Sequence, residues 1–532
     1  RVEVIYGGSD SKYNVTGAMG GVINIITIKK QKTGVHFGGS VSNTSYVPGR
    51  YNKLGGAIGE ADFSQLVDTQ MLNFSLGYGA EKFSFKANWF GNHASNQYLY
   101  RDYGGFARRK ESNAVLDTGG GVSFVWDLPN LVKLFSTTNF YYADRQYPVT
   151  GTSAGFAKEY DFSAKQSLML DAPLAFRDDL STELSLTYTF AQMKYGAASR
   201  SDDGYVTAVN RWNWYQGDKF TLRAGLDLRV INVDSTEDGV RSGGTGGIFA
   251  AAEWMPSKRL MVIASVKEAS DFRQAVAVPK AGFVWRINDN LSLKNNYFRS
   301  FKFPDFDDMF YHSADGLYAG NPDLKPEDGL GADFGMEFSG EGVFGVSGAA
   351  YVQYTTDSIH WVKRAGRWMP QNAGTGFFTG AELRPSLTFN FQDGAKSGGF
   401  ITVNKIKVSP TYQFQLSWLL NEGLGFDNGM RIPYMPTHII GCSFDIQFEA
   451  GAKKEAGSLL VSAHWESRRY ADTQNIMELP PYCLVNITLN QNIGSRFTAF
   501  FIVRNVLNQL YTSFAEYPMP GMSITAGLRV NL

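Results

Sequence analysis

The chain has 532 residues and carries 50 acidic and 50 basic side chains. With 43% hydrophobic and 14% aromatic residues it is too apolar for intrinsic disorder, and its balanced charge excludes a dedicated nucleic-acid binder. No run approaches the roughly 18 consecutive apolar residues of a membrane-spanning helix, so a helical membrane protein is excluded as well. Because the sequence opens at Arg1 without an apolar leader, we expect a mature form or a fragment.

The first 30 residues combine a glycine-rich stretch with a short apolar strand. Gly17, Gly20 and Gly21 permit tight turns and a close approach of the backbone to its surroundings. The apolar residues from Val22 to Ile26 predict a strand that packs in a crowded space. We therefore treat residues 1–30 as one unit and residues 31–532 as a second one.

The rest of the chain is dominated by segments in which apolar and polar residues alternate. Every second residue between Leu222 and Val230 is apolar, and Arg223, Asp227 and Arg229 lie between them. A period of two predicts a strand with one apolar and one charged face, and we expect the charged face to line a wet lumen or a plug. The same alternation occurs in residues 184–190, 485–489 and 524–532.

The length of these segments favours a membrane barrel over a soluble sandwich. They run for about 10 to 20 residues, longer than the strands of most soluble sheets and long enough to cross a bilayer at a tilt. About 22 of them follow one another from Val35 to Leu532, and closed bacterial outer-membrane barrels have an even number of strands. We therefore predict an all-β fold, an about 22-stranded antiparallel transmembrane β-barrel.

The connections between the segments fall into a short set and a long set. Short turns on the periplasmic side and long loops outside are typical of such barrels, and both ends of the barrel chain then lie on the periplasmic side. Short connections are predicted at residues 80–81, 128–130, 217, 256–258, 289, 341 and 494, and long ones at residues 47–68, 93–111, 144–158 and 302–326. Cys442 and Cys483 each lie inside an apparent strand, so we predict two separate thiols rather than a disulfide.

Three stretches carry a family resemblance. The opening, VEVIYGGSDSKYNVTGAMGGVINIITIKK, resembles the last segment of the plug domain of TonB-dependent outer-membrane receptors. The stretch from Phe298 to Glu327, FRSFKFPDFDDMFYHSADGLYAGNPDLKPE, is similar to paired boxes in a long outer loop of that family, with the second box intact and the first altered. The terminal NVLNQLYTSFAEYPMPGMSITAGLRVNL completes a resemblance that is strongest to the vitamin B12 and haem receptors.

This resemblance implies a location, an activity and partners. Residues 1–30 are then the C-terminal remnant of a plug domain inside a barrel in the bacterial outer membrane, and we expect the TonB box and most of the plug to be missing from this chain. The implied function is active import of a scarce metal chelate, driven by the TonB energy-coupling complex, with no enzymatic step and no cofactor. Cobalamin is the favoured ligand, with haem or a siderophore as the alternative. Outer-membrane lipid, lipopolysaccharide and a capping surface lipoprotein are the further expected partners.

The longest outer loop holds most of the candidate ligand-binding residues. His312 lies between the two boxes, where haem receptors that this chain resembles place a histidine, and imidazole can ligate iron axially. The alternative is a solvated histidine that hydrogen-bonds to a neighbour. The other candidates for ligand contact are Tyr311, Phe310, Met309, Tyr318, Asn321 and, as a partner of His312 from another loop, His93.

An acidic group precedes these residues in the same loop. Asp305, Asp307 and Asp308 can hold Ca²⁺ together with loop carbonyls, since a hard cation prefers several oxygen ligands. The alternative is solvated loop charge. Two other function classes remain at this point: a barrel enzyme of the protease or phospholipase type, for which no Ser/His/Asp arrangement stands out, and a passive porin or adhesin, which would lack the plug segment and the GNPDLKPE loop.

Overall fold

The computed structural model describes residues 2–6, 21–25, 30–47, 66–101, 107–110, 113–148, 156–340, 342–391, 400–420 and 429–532. Their strands are β1 Val2–Tyr6, β2 Gly21–Ile25, β3 Gly34–Tyr46, β4 Thr69–Gly79, β5 Phe83–Ala94, β6 Leu99–Arg101, β7 Ala107–Arg109, β8 Val115–Asp127, β9 Lys133–Pro148, β10 Phe156–Arg177, β11 Leu180–Tyr195, β12 Ser199–Gln216, β13 Phe220–Ser235, β14 Gly239–Ser257, β15 Leu260–Ser270, β16 Ala275–Arg286, β17 Leu291–Lys302, β18 Glu327–Ser339, β19 Phe344–Arg364, β20 Arg367–Asn390, β21 Ile401–Leu419, β22 His438–Ala450, β23 Glu455–Glu466, β24 Arg469–Tyr470, β25 Glu478–Leu479, β26 Tyr482–Ile493, β27 Phe497–Arg504, β28 Thr512–Phe514, β29 Tyr517–Pro518 and β30 Ser523–Asn531. One short helix, α1 Phe306–Phe310, lies between β17 and β18. In the described ranges, no helix has the length and apolar character needed to cross a bilayer.

The long strands form one closed barrel. Its 22 members are β3, β4, β5, β8 to β23, β26, β27 and β30. Each pairs antiparallel with its neighbours along the chain, and β3 closes the ring against β30 in a register that runs from Gly38 opposite Asn531 to Tyr46 opposite Ser523. Closure leaves no unpaired strand edge, which a bilayer would not tolerate. The predicted all-β barrel is confirmed.

Alternation places apolar side chains outside and polar ones inside. On β13, Leu226 and Leu228 are 43% and 41% exposed, whereas Asp227 between them is only 6% exposed. The outward apolar face suits contact with lipid, and the inward face carries the charges. Asp227 forms an ion pair of 2.6 Å with Lys267 of β15, and Arg223 pairs with Glu253 of β14. The predicted inward direction of the β13 charges is therefore correct.

The two ends of the barrel differ, but less regularly than the sequence predicts. The long loop is found between Lys302, the last residue of β17, and Glu327, the first of β18. Several outer connections are short, however, at residues 196–198, 236–238, 271–274 and 365–366, and one connection at the opposite end spans residues 391–400. Within the loop predicted at residues 144–158, β9 continues to Pro148 and β10 begins at Phe156, and the strand ladder pairs Asp144 with Tyr160.

The opening unit forms a separate two-stranded sheet. β1 and β2 pair antiparallel, with Val2 opposite Ile25 and Tyr6 opposite Gly21. Of the three glycines predicted to matter here, Gly21 begins β2, whereas Gly17 and Gly20 lie outside the described residues. The division into a plug segment of residues 1–30 and a barrel of residues 31–532 stays a prediction. Cys442 and Cys483 are both free thiols, as predicted.

Candidate functional site

The long outer loop, residues 303–326, folds back against the inner face of the barrel mouth. Its helix α1 lies on β14, where the guanidinium carbon of Arg241 is 4.4 Å from the ring centre of Phe310. A Cβ atom added at Gly243 of β14 would lie 2.9 Å from Cζ of Phe306, so the glycine makes room for this ring. Arg273, in the turn after β15, donates to Sδ of Met309 over 2.9 Å. The helix is thus held by two neighbouring parts of the wall.

Aromatic rings hold the tip of the loop to the β19–β20 hairpin. Tyr318 stacks on Trp368 with ring centres 6.2 Å apart, and Tyr311 meets Trp361 edge to face at 6.1 Å. The amide of Ala319 donates to the carbonyl of Trp368 over 3.0 Å, and Trp368 in turn donates to Leu317 over 2.7 Å. The two tyrosines therefore serve the seating of the loop.

The GNPDLKPE segment fixes the second half of the loop. The amide of Asn321 donates to the carbonyl of Asp308 over 2.9 Å, and its side-chain nitrogen donates to Pro370 O over 3.1 Å. Asn372 of β20 binds both backbone groups of Lys325, accepting from its N–H and donating to its carbonyl, each over 2.8 Å. Leu324 between them is 2% exposed. This motif is a scaffold for the site.

His312 lies at the exposed rim of the loop. Its amide donates to the carbonyl of Glu237 over 3.1 Å, and its Nδ1 lies 2.6 Å from the carbonyl oxygen of Phe310. Since a carbonyl oxygen only accepts, Nδ1 carries a proton, and in the neutral imidazole the lone pair is then on Nε2. A histidine oriented in this way has the tautomer of a metal ligand.

A cavity of about 780 Å³ lies between α1 and the inner faces of β12, β13 and β14. This volume falls within the range of small-molecule sites. Phe310 and Met309 of the loop contribute to its lining, as does Tyr205 of β12, under the guanidinium of Arg229 at 4.7 Å. The charged lining residues are Asp203, Asp238, Asp271, Asp305 and Asp307 with Arg229, Arg273 and Lys302.

Asp238 is the least solvated carboxylate of this cavity. It lies in the tight turn between β13 and β14 and is 6% exposed, and its Oδ1 has no hydrogen-bond partner among the described residues. Burial, together with the charge of the neighbouring Asp307 on α1, raises the pKa of Asp238 to about 6. On the same helix, burial raises the pKa of Asp308, although the charge of Lys302 partly opposes that rise. Negative charge is therefore costly at this end of the cavity.

The structure separates the residues that the sequence groups together. Met309 and Phe310 line the cavity, Tyr311, Tyr318 and Asn321 hold the loop, and His312 faces outward from it. His93 is not brought to this loop: it lies on the outward face of β5, the face of Trp89, with Nδ1 3.1 Å from Oε1 of Gln70. A ligand role for His312 or His93 stays a prediction.

The three aspartates considered for calcium have three different partners. Asp305 forms an ion pair of 2.8 Å with Lys302, Asp307 faces Asp238, and Asp308 accepts from Nε1 of Trp361 over 3.2 Å. Throughout the described ranges, no group of three or more His, Cys, Asp or Glu side chains is placed to hold a metal ion. The structure therefore does not assemble these aspartates into one site.

Sequence reasoning missed Asp203, Tyr205 and Asp238. Asp238 directly precedes β14, and the alternation of β13 could have indicated that nearby Ser235 points inward. Nothing local indicates that Asp307, far along the chain, folds onto Asp238, because this contact depends on where the long loop comes to rest.

The sequence matches the family described as TonB dependent receptor-like, beta-barrel over residues 29–506. The chain belongs to the TonB-dependent receptor family. Its closed barrel is thus a bacterial outer-membrane barrel. No curated protein matches the sequence.

Solved structures of the same fold cover the whole chain at low identity. The siderophore receptor PirA from Pseudomonas aeruginosa is 13% identical, with a TM-score of 0.72 and coverage of 100% of this chain and 86% of that one. The copper transporter OprC is 14% identical, with a TM-score of 0.77 and the same coverages. The FrpB iron transporter from Neisseria meningitidis is 9% identical, with a TM-score of 0.77, and is covered to 87%. At these identities the likeness concerns the fold.

Proposed function

We propose that this TonB-dependent receptor actively imports a scarce metal chelate across the outer membrane, driven by the TonB energy-coupling complex. The observation that carries the proposal is the cavity of about 780 Å³ at the outer barrel end, walled by a loop that is held in place from two sides. The proteins with which the chain shares its fold are named for siderophores, copper and iron, which supports the same class of cargo.

The contacts that the cavity offers are binding contacts. Carboxylates, one guanidinium over a tyrosine ring and the rings of α1 recognise charge and shape. We therefore propose import without a covalent step on the cargo. Lipid and lipopolysaccharide are the proposed neighbours of the outward apolar face, and a capping surface lipoprotein stays a prediction.

The energy requirement separates import from passive passage. Cells that produce the full receptor should take up a radiolabelled metal chelate, and uptake should stop when the proton-motive force is dissipated or when the TonB complex is deleted. Entry of a small porin substrate into the same cells is the control and should continue. Chelate uptake that survives both treatments would show a passive pore and contradict the proposal.

The chelate itself is proposed at a finer level. The sequence resemblance favours cobalamin, whereas the fold relatives favour a siderophore or a metal ion. A specific observation adds haem as a second candidate, because the contact of Nδ1 of His312 with Phe310 O leaves Nε2 available to iron at the exposed rim.

Binding of cyanocobalamin and of haemin to the purified receptor in detergent distinguishes these ligands. Tight cobalamin binding that is unchanged in His312→Ala would identify cobalamin as the ligand and exclude a role for His312 in binding it. Haemin binding with a Soret shift that disappears in His312→Ala would make His312 an axial ligand. His438→Ala is the matched control, since that histidine lies on β22 beside Tyr412, with Nδ1 3.0 Å from its hydroxyl. Binding of neither compound would direct the search to siderophores.

A further inference from the structure

The cavity keeps a surplus of negative charge after its internal ion pairs are formed. Arg273 pairs with Asp271 over 2.9 Å, and Lys302 pairs with Asp305 over 2.8 Å. These four side chains cancel one another. Asp203, Asp238 and Asp307 then remain, with the guanidinium of Arg229 as the single remaining basic group of the described lining.

The remaining carboxylates are not equivalent. Asp203 accepts hydrogen bonds from the hydroxyls of Tyr205, over 2.9 Å, and Ser201, over 2.8 Å. Asp238 instead is only 6% exposed, and its buried Oδ1 has no hydrogen-bond partner in the described part of the chain. A buried carboxylate oxygen that accepts no hydrogen bond is costly, so the ionised form of Asp238 lacks a donor at this position.

The charged groups that surround Asp238 do not supply that donor. Asp307 faces it from α1, close enough for the two carboxyl groups to share a hydrogen bond when one of them is protonated, and Glu237 precedes it in the turn; when ionised, both carry the same sign of charge as Asp238. Arg241 of β14 donates its Nε to the main-chain oxygen of Asp238 over 2.9 Å and lies against the ring of Phe310. Arg229 is placed over Tyr205. Within the described ranges, neither arginine forms an ion pair with Asp238 or Asp307.

We propose that Asp238 and Asp307 together bind a positively charged group, a protonated amine, carried by the imported metal chelate. This inference rests on the proposed function and narrows its cargo to cationic or amine-bearing chelates. An ammonium donates three hydrogen bonds and can bind the buried carboxylate of Asp238 and the exposed carboxylate of Asp307 at once. A polyanionic chelate, in contrast, would meet like charge at the same place.

A proton competes with the ligand for the same carboxylates. The ordinary pKa of an aspartate carboxyl is 3.8, and that of Asp238 is raised to about 6, so below about pH 6 a proton occupies the position that the amine would take. Binding of an amine-bearing chelate should therefore weaken as the pH falls through about 6. A chelate without the amine should lack this dependence.

A pair of ligands that differ only in the amine tests the proposal directly. The ferric complex of desferrioxamine B carries one free ammonium, and its N-acetyl derivative carries none. We expect the full receptor in detergent to bind the first at least about tenfold more tightly at pH near 7.5, a difference of about 1.4 kcal/mol. Isothermal titration calorimetry in buffers of different ionisation enthalpy measures both the affinities and the protons released.

Variants locate the effect. Asp238→Asn and Asp307→Asn should each reduce the preference for the amine, measured as the ratio of the two affinities, about tenfold. Asp234→Asn is the matched control. Asp234 is an aspartate near Asp238 in sequence, but it lies on the exposed face of β13, opposite to the face of Ser235. If one variant fails to fold, the other and the ligand pair on the parent receptor still decide the question.

The outcomes separate this inference from the function on which it rests. Equal binding of the two ferric ligands, or binding of ferric enterobactin alone, would overturn the amine site and leave metal-chelate import standing. Failure to bind any ferric chelate, cyanocobalamin or haemin would overturn both. A preference for the amine that persists in both asparagine variants would show that the amine is bound elsewhere.

Discussion

In the barrel wall each strand pairs with two neighbours along its length, whereas the long outer loop is held by scattered ring contacts, side-chain hydrogen bonds and single backbone hydrogen bonds. The backbone pairing repeats around all 22 strands, and β13 shows the side-chain rule of the wall, apolar outward and polar inward. The loop depends on particular partners, such as Arg241 with Phe310, Tyr318 with Trp368 and Asn372 with Lys325. Loss of one side chain in the wall leaves the backbone pairing of its strand in place, whereas loss of one side chain in the loop removes one of the few contacts that hold the loop.

This difference has a functional meaning. A wall that tolerates local change keeps the receptor in the membrane, and a loop with few contacts can be tuned for its cargo without endangering the barrel. The inward ion pairs should be the exceptions to this tolerance, because removal of one partner leaves the other charge buried and unpaired. The four predictions below test which residues of the wall and of the loop tolerate substitution.

The largest effect is expected at a buried ion pair of the wall. Lys267→Met should destabilise the receptor by about 3–5 kcal/mol, because it leaves the carboxylate of Asp227 buried without its cation. Denaturant unfolding in detergent measures the loss. The double variant Lys267→Met with Asp227→Leu should recover most of it. If Lys267→Met is as stable as the parent, the wall tolerates the loss of this ion pair as well.

The next effect concerns the lipid-facing surface. Leu226→Arg, at the middle of β13, should cost about 2–4 kcal/mol, since a charge there must leave water for the bilayer core. Leu226→Ala, as the apolar control, should cost much less. Comparison of unfolding in lipid vesicles distinguishes the two. Equal costs would mean that this face is not in contact with lipid.

In the loop, Asn372→Ala should loosen the GNPDLKPE segment by about 1–3 kcal/mol. The substitution removes both hydrogen bonds to Lys325 and a third, of 2.8 Å, to the carbonyl of Asp357. Faster amide exchange at Lys325, with unchanged global unfolding, is the expected result. Asn372→Asp keeps an acceptor for the Lys325 amide and should protect that amide more than alanine does. A fall in global stability would instead show that the loop and the barrel wall unfold together.

The smallest effect is a dependence of loop seating on pH. Because the folded-state pKa of Asp238 is raised to about 6 from 3.8, the folded state holds the proton more tightly. This contribution to seating is fully present below about pH 4 and is lost as the pH rises through about 6. Exchange of the Met309 and Tyr311 amides, corrected for intrinsic rates, should therefore be slower at about pH 5 than at about pH 7.5. Asp238→Asn should abolish the difference, and its persistence in that variant would assign it to another group.

The wall was predictable from the sequence because its rule is local. The alternation from Leu222 to Val230 determines which side chains meet lipid, and the prolines of the GNPDLKPE segment help to mark where the loop ends before Glu327. The same kind of alternation on β5 indicates that His93 points outward, because His93 and Trp89 are separated by an even number of strand positions.

The cavity was not predictable in this way. Its lining joins Asp203, Asp238 and Asp307, which are brought together only when the loop folds back over the barrel mouth. Such contacts depend on the whole shape of the loop rather than on spacing along the chain. Two loop residues that the sequence suggests as ligand contacts have other positions: His312 faces outward, and Tyr318 holds the tip of the loop.

The seam between β3 and β30 sets the order in which the protein can be assembled. The hydroxyls of Thr44 and Thr525, separated by 481 positions in sequence, meet across it at 2.8 Å. The first barrel strand therefore waits with an open edge until the last one has been delivered, and ordering so long an intervening chain is entropically costly and slow. Such an edge invites pairing with other chains, so the cell must shield it until the ring is complete.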